Sequence, residues 1–245
     1  NQYKKIIKYY RMYLIELKFL LIYKLLNIWG INMKKSKVIE ELIVIFWLFI
    51  IGSIIGHIFE MTVVLFQKGY FESRRGLLYG PFIPVYGMGV VLYYLILNNI
   101  HTEKKSKIYL ITMLLGGITE YLCSYIQEKV FGTISWDYSY LTFNINGRTS
   151  LLHCTYWGIA GVLYAVYITP LIAKIKDKSD NDILRWITVI ALGFMILNVI
   201  ISWTAVYRQT ERKHNIPPKS KIDIFLDKHY PDEFIDKIFA NKIDV

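Results

Sequence analysis

Glu72-Ser-Arg-Arg-Gly-Leu-Leu-Tyr-Gly-Pro-Phe-Ile-Pro-Val-Tyr-Gly-Met-Gly89 decides how the chain is read. It runs from two arginines into an apolar segment that continues to about Asn98. Gly76, Gly80, Pro81 and Pro84 make a regular helix unlike this stretch until Val85. From Val85 to Asn99 a helix reaches only about 22 Å, short of a hydrocarbon core of about 30 Å. The missing length must come from the irregular part. Lipid cannot satisfy free N–H and C=O groups, so such backbone persists only against protein or a water-filled cavity. The stretch is therefore a candidate site, as broken helices are in transporters. The competing reading is a plain helix start, with Pro81 in the first turn and Arg74 and Arg75 among head groups.

Working outward, 54% of the 245 residues are hydrophobic, and they gather in long runs, which points to a membrane protein. Five crossings are expected: Leu42 to Gln67, Leu77 to Asn99, Ile108 to Phe131, Thr149 to Ala173 and Trp186 to Tyr207. The fold class is all-α, a polytopic helical bundle of about five transmembrane helices. Residues 1–37 form a basic amphipathic segment with an interfacial helix over 4–28, although Met33 could equally open the membrane domain. Residues 38–207 are the transmembrane domain and 208–245 a hydrophilic tail, expected as two helices broken at Pro231. Lysine and arginine divide almost evenly between the two faces, so charge sets no orientation. The net charge of +10 suits anionic head groups, and no nucleic-acid motif accompanies it. Cys123 and Cys154 fall inside apolar runs and read as small hydrophobes.

The spans carry an internal echo. Gly56-x-x-x-Glu60 matches Gly116-x-x-x-Glu120, Arg75-Gly76 answers Gly147-Arg148, and Tyr86-Gly87 answers Trp157-Gly158. A two-span unit repeated in the same orientation relates its halves by an axis along the membrane normal. Gly52-x-x-x-Gly56 also marks a close helix contact.

Glu60 and Glu120 are the sharpest polar signals, because an ionised carboxylate inside a span is costly unless paired or wetted. The expected partners are Arg75 for Glu60 and Arg148 for Glu120, with Arg74 at the same face. These pairs either line a site or only lock helices together. Tyr79, Tyr86, Asn144 and Asn146 can add hydrogen bonds, and Trp136-Asp137-Tyr138 reads as an interfacial anchor. His57 lies one turn before Glu60, with His153 as a third candidate ligand, yet His-Glu-x-x-His is absent and no metal is expected. Gly76, Gly80, Pro81, Pro84, Gly87 and Gly147 shape the backbone. There is no P-loop, no nucleophile elbow and no Cys-x-x-Cys, so an enzymatic role has no motif behind it and no cofactor is implied.

Gly56-His-Ile-Phe-Glu60, the Arg75 to Gly89 run, Glu120-Tyr-Leu122, Trp136-Asp-Tyr138 and Phe143-Asn-Ile-Asn-Gly-Arg148 resemble the bacterial membrane family described as putative ABC-transporter type IV, or CmpB. The resemblance covers residues 45 to 172, with an echo in Leu226 to Asp232, and His57 stands where the family more often carries tryptophan. It implies a permease subunit in the cell membrane, working with a separate ATPase subunit and with five spans suited to a homodimer. A membrane-embedded enzyme acting on a lipid or lipid-linked substrate is the second reading, with a carboxylate as base and the arginines on a phosphate. A non-catalytic scaffold or sensor is the third.

Overall fold

The computed structural model describes residues 37–100, 104–179 and 181–245; the interfacial helix expected over 4–28 lies outside them. Helix α1 (Lys37–Lys68) and helix α2 (Pro84–Ile100) form a first hairpin. Helix α3 (Lys105–Phe131) and helix α4 (Leu151–Leu163) form a second, and α4 continues through a wide-turned segment, Tyr164–Ile168, into α5 (Thr169–Asp177). The widening falls just before Pro170, which has no N–H to donate to the preceding turn. Helix α6 (Asp182–Lys213) follows, and then the tail helices α7 (Lys221–His229) and α8 (Asp232–Ile238). Short strands β1 (Thr133–Ile134), β2 (Asn144–Ile145), β3 (Thr149–Ser150) and β4 (Ile243–Asp244) tie the loops together, β1 with β4 and β2 with β3.

The chain is an all-α membrane bundle. Among the described residues α1, α3, the run Leu151–Asp177 and α6 are long and apolar enough to cross a bilayer, while α2 has 17 residues. At 1.5 Å per residue α2 reaches about 25 Å, short of a hydrocarbon core of about 30 Å, and irregular chain leads into it, as the glycines and prolines predict. The residues 69–83 and 132–150, the ends of α1, α3 and α6, and the tail share one face, called here the loop face.

Within each hairpin the helices touch through glycine. A methyl group at Gly56 would enter the Tyr86 ring, and one at Gly116 would enter the Trp157 ring. Gly87 lies against Phe49 and Gly158 against Tyr109, while Gly52 meets Val90 and Gly161 meets Thr112. Every one of these contacts in the first hairpin has its counterpart in the second, so the echo in the sequence is an echo of packing. The hairpins then meet through aromatics: Tyr86 and Trp157 have ring centroids 5.3 Å apart, and Tyr93 and Tyr164, again equivalent positions, lie 5.8 Å apart. Tyr93 also donates to the Trp157 carbonyl at 2.9 Å. Val44, Leu48, Tyr94 and Ile172 complete this core.

The irregular stretch is held by α6. The Asn198 side chain accepts from the Tyr79 N–H at 3.1 Å and donates to the Tyr79 carbonyl at 2.7 Å, and the Ser202 hydroxyl accepts from the Leu78 N–H at 2.9 Å. Gly76 donates to the Phe82 carbonyl at 2.8 Å and Ile83 to the Ser53 carbonyl at 3.2 Å. Gly80 sits at φ +77°, where a side chain would be strained, and Pro84 takes the first position of α2.

The tail closes over both entry loops. Leu78 packs with Ala205, Leu226, Tyr230, Ile235 and Phe239; the Ser73 hydroxyl donates to the Ile238 carbonyl at 2.5 Å; and the Tyr79 and Tyr230 hydroxyls bond at 2.8 Å. On the other side β4 pairs with β1, and Asn241 donates to the Ser135 carbonyl at 2.9 Å.

Replacing Asn198 with leucine strands the part-buried N–H and C=O of Tyr79. At about 1–3 kcal/mol for each unsatisfied group, Asn198→Leu should cost about 2–6 kcal/mol in denaturant unfolding in a fixed detergent. Gly193→Ala, where nothing lies within 4 Å of the new methyl, should change stability by no more than about 1 kcal/mol.

Candidate functional site

Glu60 and Glu120 face the seam between the hairpins near the loop face. Tyr86 donates its hydroxyl to Glu60 at 2.5 Å. Glu120 is 6% exposed and accepts from the Tyr138 hydroxyl at 3.0 Å and the Thr149 hydroxyl at 2.8 Å, with the Trp157 side chain helping to hold it. Both carboxylates act electrostatically on Tyr86, and Glu60 acts on Glu120. Two acids from equivalent positions thus share one small polar zone walled by aromatic rings.

The expected ion pairs do not form. Arg148 is taken by Glu128, with its guanidinium over the rings of Tyr121 and Tyr125 at 5.9 and 5.5 Å. Glu128 lies two turns nearer the loop face than Glu120, on the same helix, and takes the guanidinium instead. That pairing, more than burial opposes it, raises the Arg148 pKa. Arg74 pairs with Glu72 at 3.0 Å. Arg75 makes no ion pair among the described residues and instead lies within electrostatic reach of His57. Hydroxyl groups, not guanidinium groups, answer the two membrane acids.

The other expected residues are placed as follows. Asn144 builds the loop, donating to the Leu141 carbonyl at 2.8 Å and accepting from the Gly147 N–H at 2.9 Å. Asn146 donates to the Tyr121 hydroxyl at 3.1 Å. Asp137 accepts from the Ser139 hydroxyl at 2.6 Å and N–H at 2.9 Å, which lowers its pKa. Gly147 has φ +66° and leaves no room for a side chain beside Asp137. Within the expected interfacial anchor, Trp136 donates to the Arg148 carbonyl at 2.8 Å and Tyr138 turns inward to Glu120. Burial, then the Glu120 charge, pushes the Tyr138 phenol well above its ordinary range. His153 stacks on Tyr138 with centroids 3.6 Å apart and bonds Ser150 at 2.8 Å, away from any ligand set with His57. Among the described residues no group of three metal-ligating side chains occurs. Tyr79 serves the tail contact, and its backbone serves α6.

Reading the sequence missed Tyr138 and Thr149 as partners of Glu120, and Asn198 and Ser202 as supports of the broken stretch. Asn198 and Ser202 carried a signal: two polar residues one turn apart in the apolar run of α6.

A second ionic group fixes the tail. Arg208 forms a two-pronged bond to Asp227 at 2.9 and 3.0 Å and reaches Glu211 at 3.0 Å, while Arg212 bridges Asp227 at 2.7 Å and Asp232 at 2.5 Å.

With this geometry in hand, the family comparison is decisive. The model of the family described as putative ABC-transporter type IV matches residues 47–203. The chain belongs to that family. The match takes in both hairpins, the broken stretch and most of α6, and the description makes this an ABC-transporter-type, multi-pass membrane protein. No curated protein and no solved structure matches the chain.

The Arg208 bond, and Arg212 after it, hold the Asp227 carboxyl below the ordinary carboxylate range against the opposing effect of burial. A lowered folded pKa means that this stabilisation is complete above the unfolded value of about 3.9 and disappears as pH falls below it. Hydrogen exchange of α7 and α8 should therefore accelerate below about pH 4, and Asp227→Asn should bring the same acceleration at neutral pH.

Proposed function

We propose that the chain is a permease-like membrane subunit of an ABC-type transporter, with its path running along the seam between the two hairpins past Glu60 and Glu120. The observation carrying this reading is the pair of membrane carboxylates held by neutral side chains, without a guanidinium partner. Acids that served only to lock helices would be expected to take the arginines available at the same face, since an uncompensated carboxylate in a span is costly. Here the cost is accepted where two equivalent helices meet, and broken backbone opens beside them. Rigid glycine-packed hairpins joined by an aromatic seam also suit a path that opens by separating the hairpins as units.

The 245 residues carry no P-loop, so hydrolysis would belong to a separate ATPase subunit, and a second copy of this chain would complete a wider path. Glu60, Glu120, Tyr86, Tyr138 and Thr149 would line that path, with Trp157 as its inner wall.

Affinity purification from native membranes after mild cross-linking should retain a P-loop ATPase subunit in fixed ratio. The Glu60→Gln, Glu120→Gln double variant should fold and keep that subunit while losing most of the complex's ATP-driven activity. A chain that purifies without any ATPase subunit overturns the permease reading; full activity in the double variant overturns the path.

A further inference from the structure

Three basic side chains lie along the first entry: His57 on α1, one turn from Ser53, whose carbonyl accepts from the Ile83 N–H at 3.2 Å, and Arg74 and Arg75 on the irregular segment that folds back there. Arg74 is paired through one end of its guanidinium to Glu72 at 3.0 Å, and Glu72 also takes Lys68 at 2.6 Å. The Arg74 Nε is buried and has no acceptor, and the His57 Nδ1 is buried without a partner. Arg75 is half-buried, makes no hydrogen bond or ion pair among the described residues, and is close enough to His57 for its charge to act on the ring. The nearest membrane acid, Glu60, lies one turn along from His57 and accepts from Tyr86.

We propose that Arg75, with His57 and Arg74, binds a phosphate oxyanion at the loop-face mouth of the first hairpin. The unsatisfied groups are all nitrogens: a guanidinium is five donors with no acceptor, and an imidazole nitrogen can carry its proton to suit. Their complement is an anionic acceptor with several oxygens. Phosphate fits the planar fork of arginine bidentately and has oxygens left for neighbouring donors. Local charge agrees, because Lys68 and Arg74 share the single carboxylate of Glu72 and Arg75 has no ion pair among the described residues. Position agrees as well. Phe66, Tyr70 and Phe71 at the end of α1 point outward, 84, 56 and 70% exposed, as aromatic residues do at head-group depth. The phosphate can come from a lipid head group or from solution, and the chemistry of the site is the same for both. The proposal does not depend on the permease reading.

The test uses the full chain, stripped of lipid in an uncharged maltoside detergent and titrated separately with phosphatidylglycerol and with inorganic phosphate, followed by thermal shift. Arg75 makes no hydrogen bond or ion pair among the described residues, so Arg75→Gln should fold normally. A saturable stabilisation that Arg75→Gln weakens roughly tenfold, and Arg75→Lys weakens less, is the expected result. Response to phosphatidylglycerol alone assigns the site to a lipid head group; response to both assigns it to phosphate at large. Lys129→Gln removes a charge of the same sign near the same face and should leave the affinity unchanged. The proposal is overturned if neither titrant saturates, if Arg75→Gln binds like the unsubstituted chain, or if Lys129→Gln weakens binding equally.

Discussion

One side-chain amide supports the part of the molecule that is hardest to keep in a membrane. Between Gly69 and Ile83 the backbone is not helical, yet Leu77 and Leu78 are as buried as any residue in the core. Every peptide group there needs a partner from protein, because hydrocarbon offers none. Asn198 satisfies both backbone groups of Tyr79, and Ser202 satisfies Leu78. The position of α6 follows from this, since moving it away from the first hairpin would strip three hydrogen bonds at once. Pro84 can then start α2 at the depth where Tyr86 meets Glu60.

The two hairpins differ in how they are joined internally and to each other. Inside each one, glycine brings backbones close enough for a ring to rest on the neighbouring helix, and nothing larger than hydrogen fits. Between them lie Tyr86, Trp157, Tyr93 and Tyr164, flat groups that meet at tilted or edge-on angles. Contacts of the first kind are steep in energy, because a small displacement brings hard overlap. Aromatic contacts tolerate several geometries. The acids sit at the end of this softer boundary.

Much of this was legible in the chain itself, because glycine and aromatic positions at matched intervals have few uses in a span other than close packing. The break before α2 was legible from two prolines and two glycines. The partners of the acids were not. Arg75 and Arg148 were the obvious cations by proximity in sequence, but Glu128 takes Arg148. Tyr138 looked like a surface aromatic because it follows Trp136 and Asp137. Only the turn of the loop, with Tyr138 donating its N–H to the Gly147 carbonyl at 2.7 Å, sends its hydroxyl inward. Loop conformation of that kind has no periodicity for a sequence to display.

The tail's grip has a mechanical corollary. On the loop face, Ser73 and Tyr79 of one hairpin and Thr133 and Ser135 of the other are laced to the same C-terminal run. At the far end no such run crosses the described residues: Glu41 meets Lys176 at 2.6 Å and Tyr94, and Trp47 donates to Thr188 at 2.9 Å. The molecule is consequently stiffer at one end than at the other, like a pair of tongs riveted near the tips. Thermal breathing of the bundle should concentrate at the end away from the rivet.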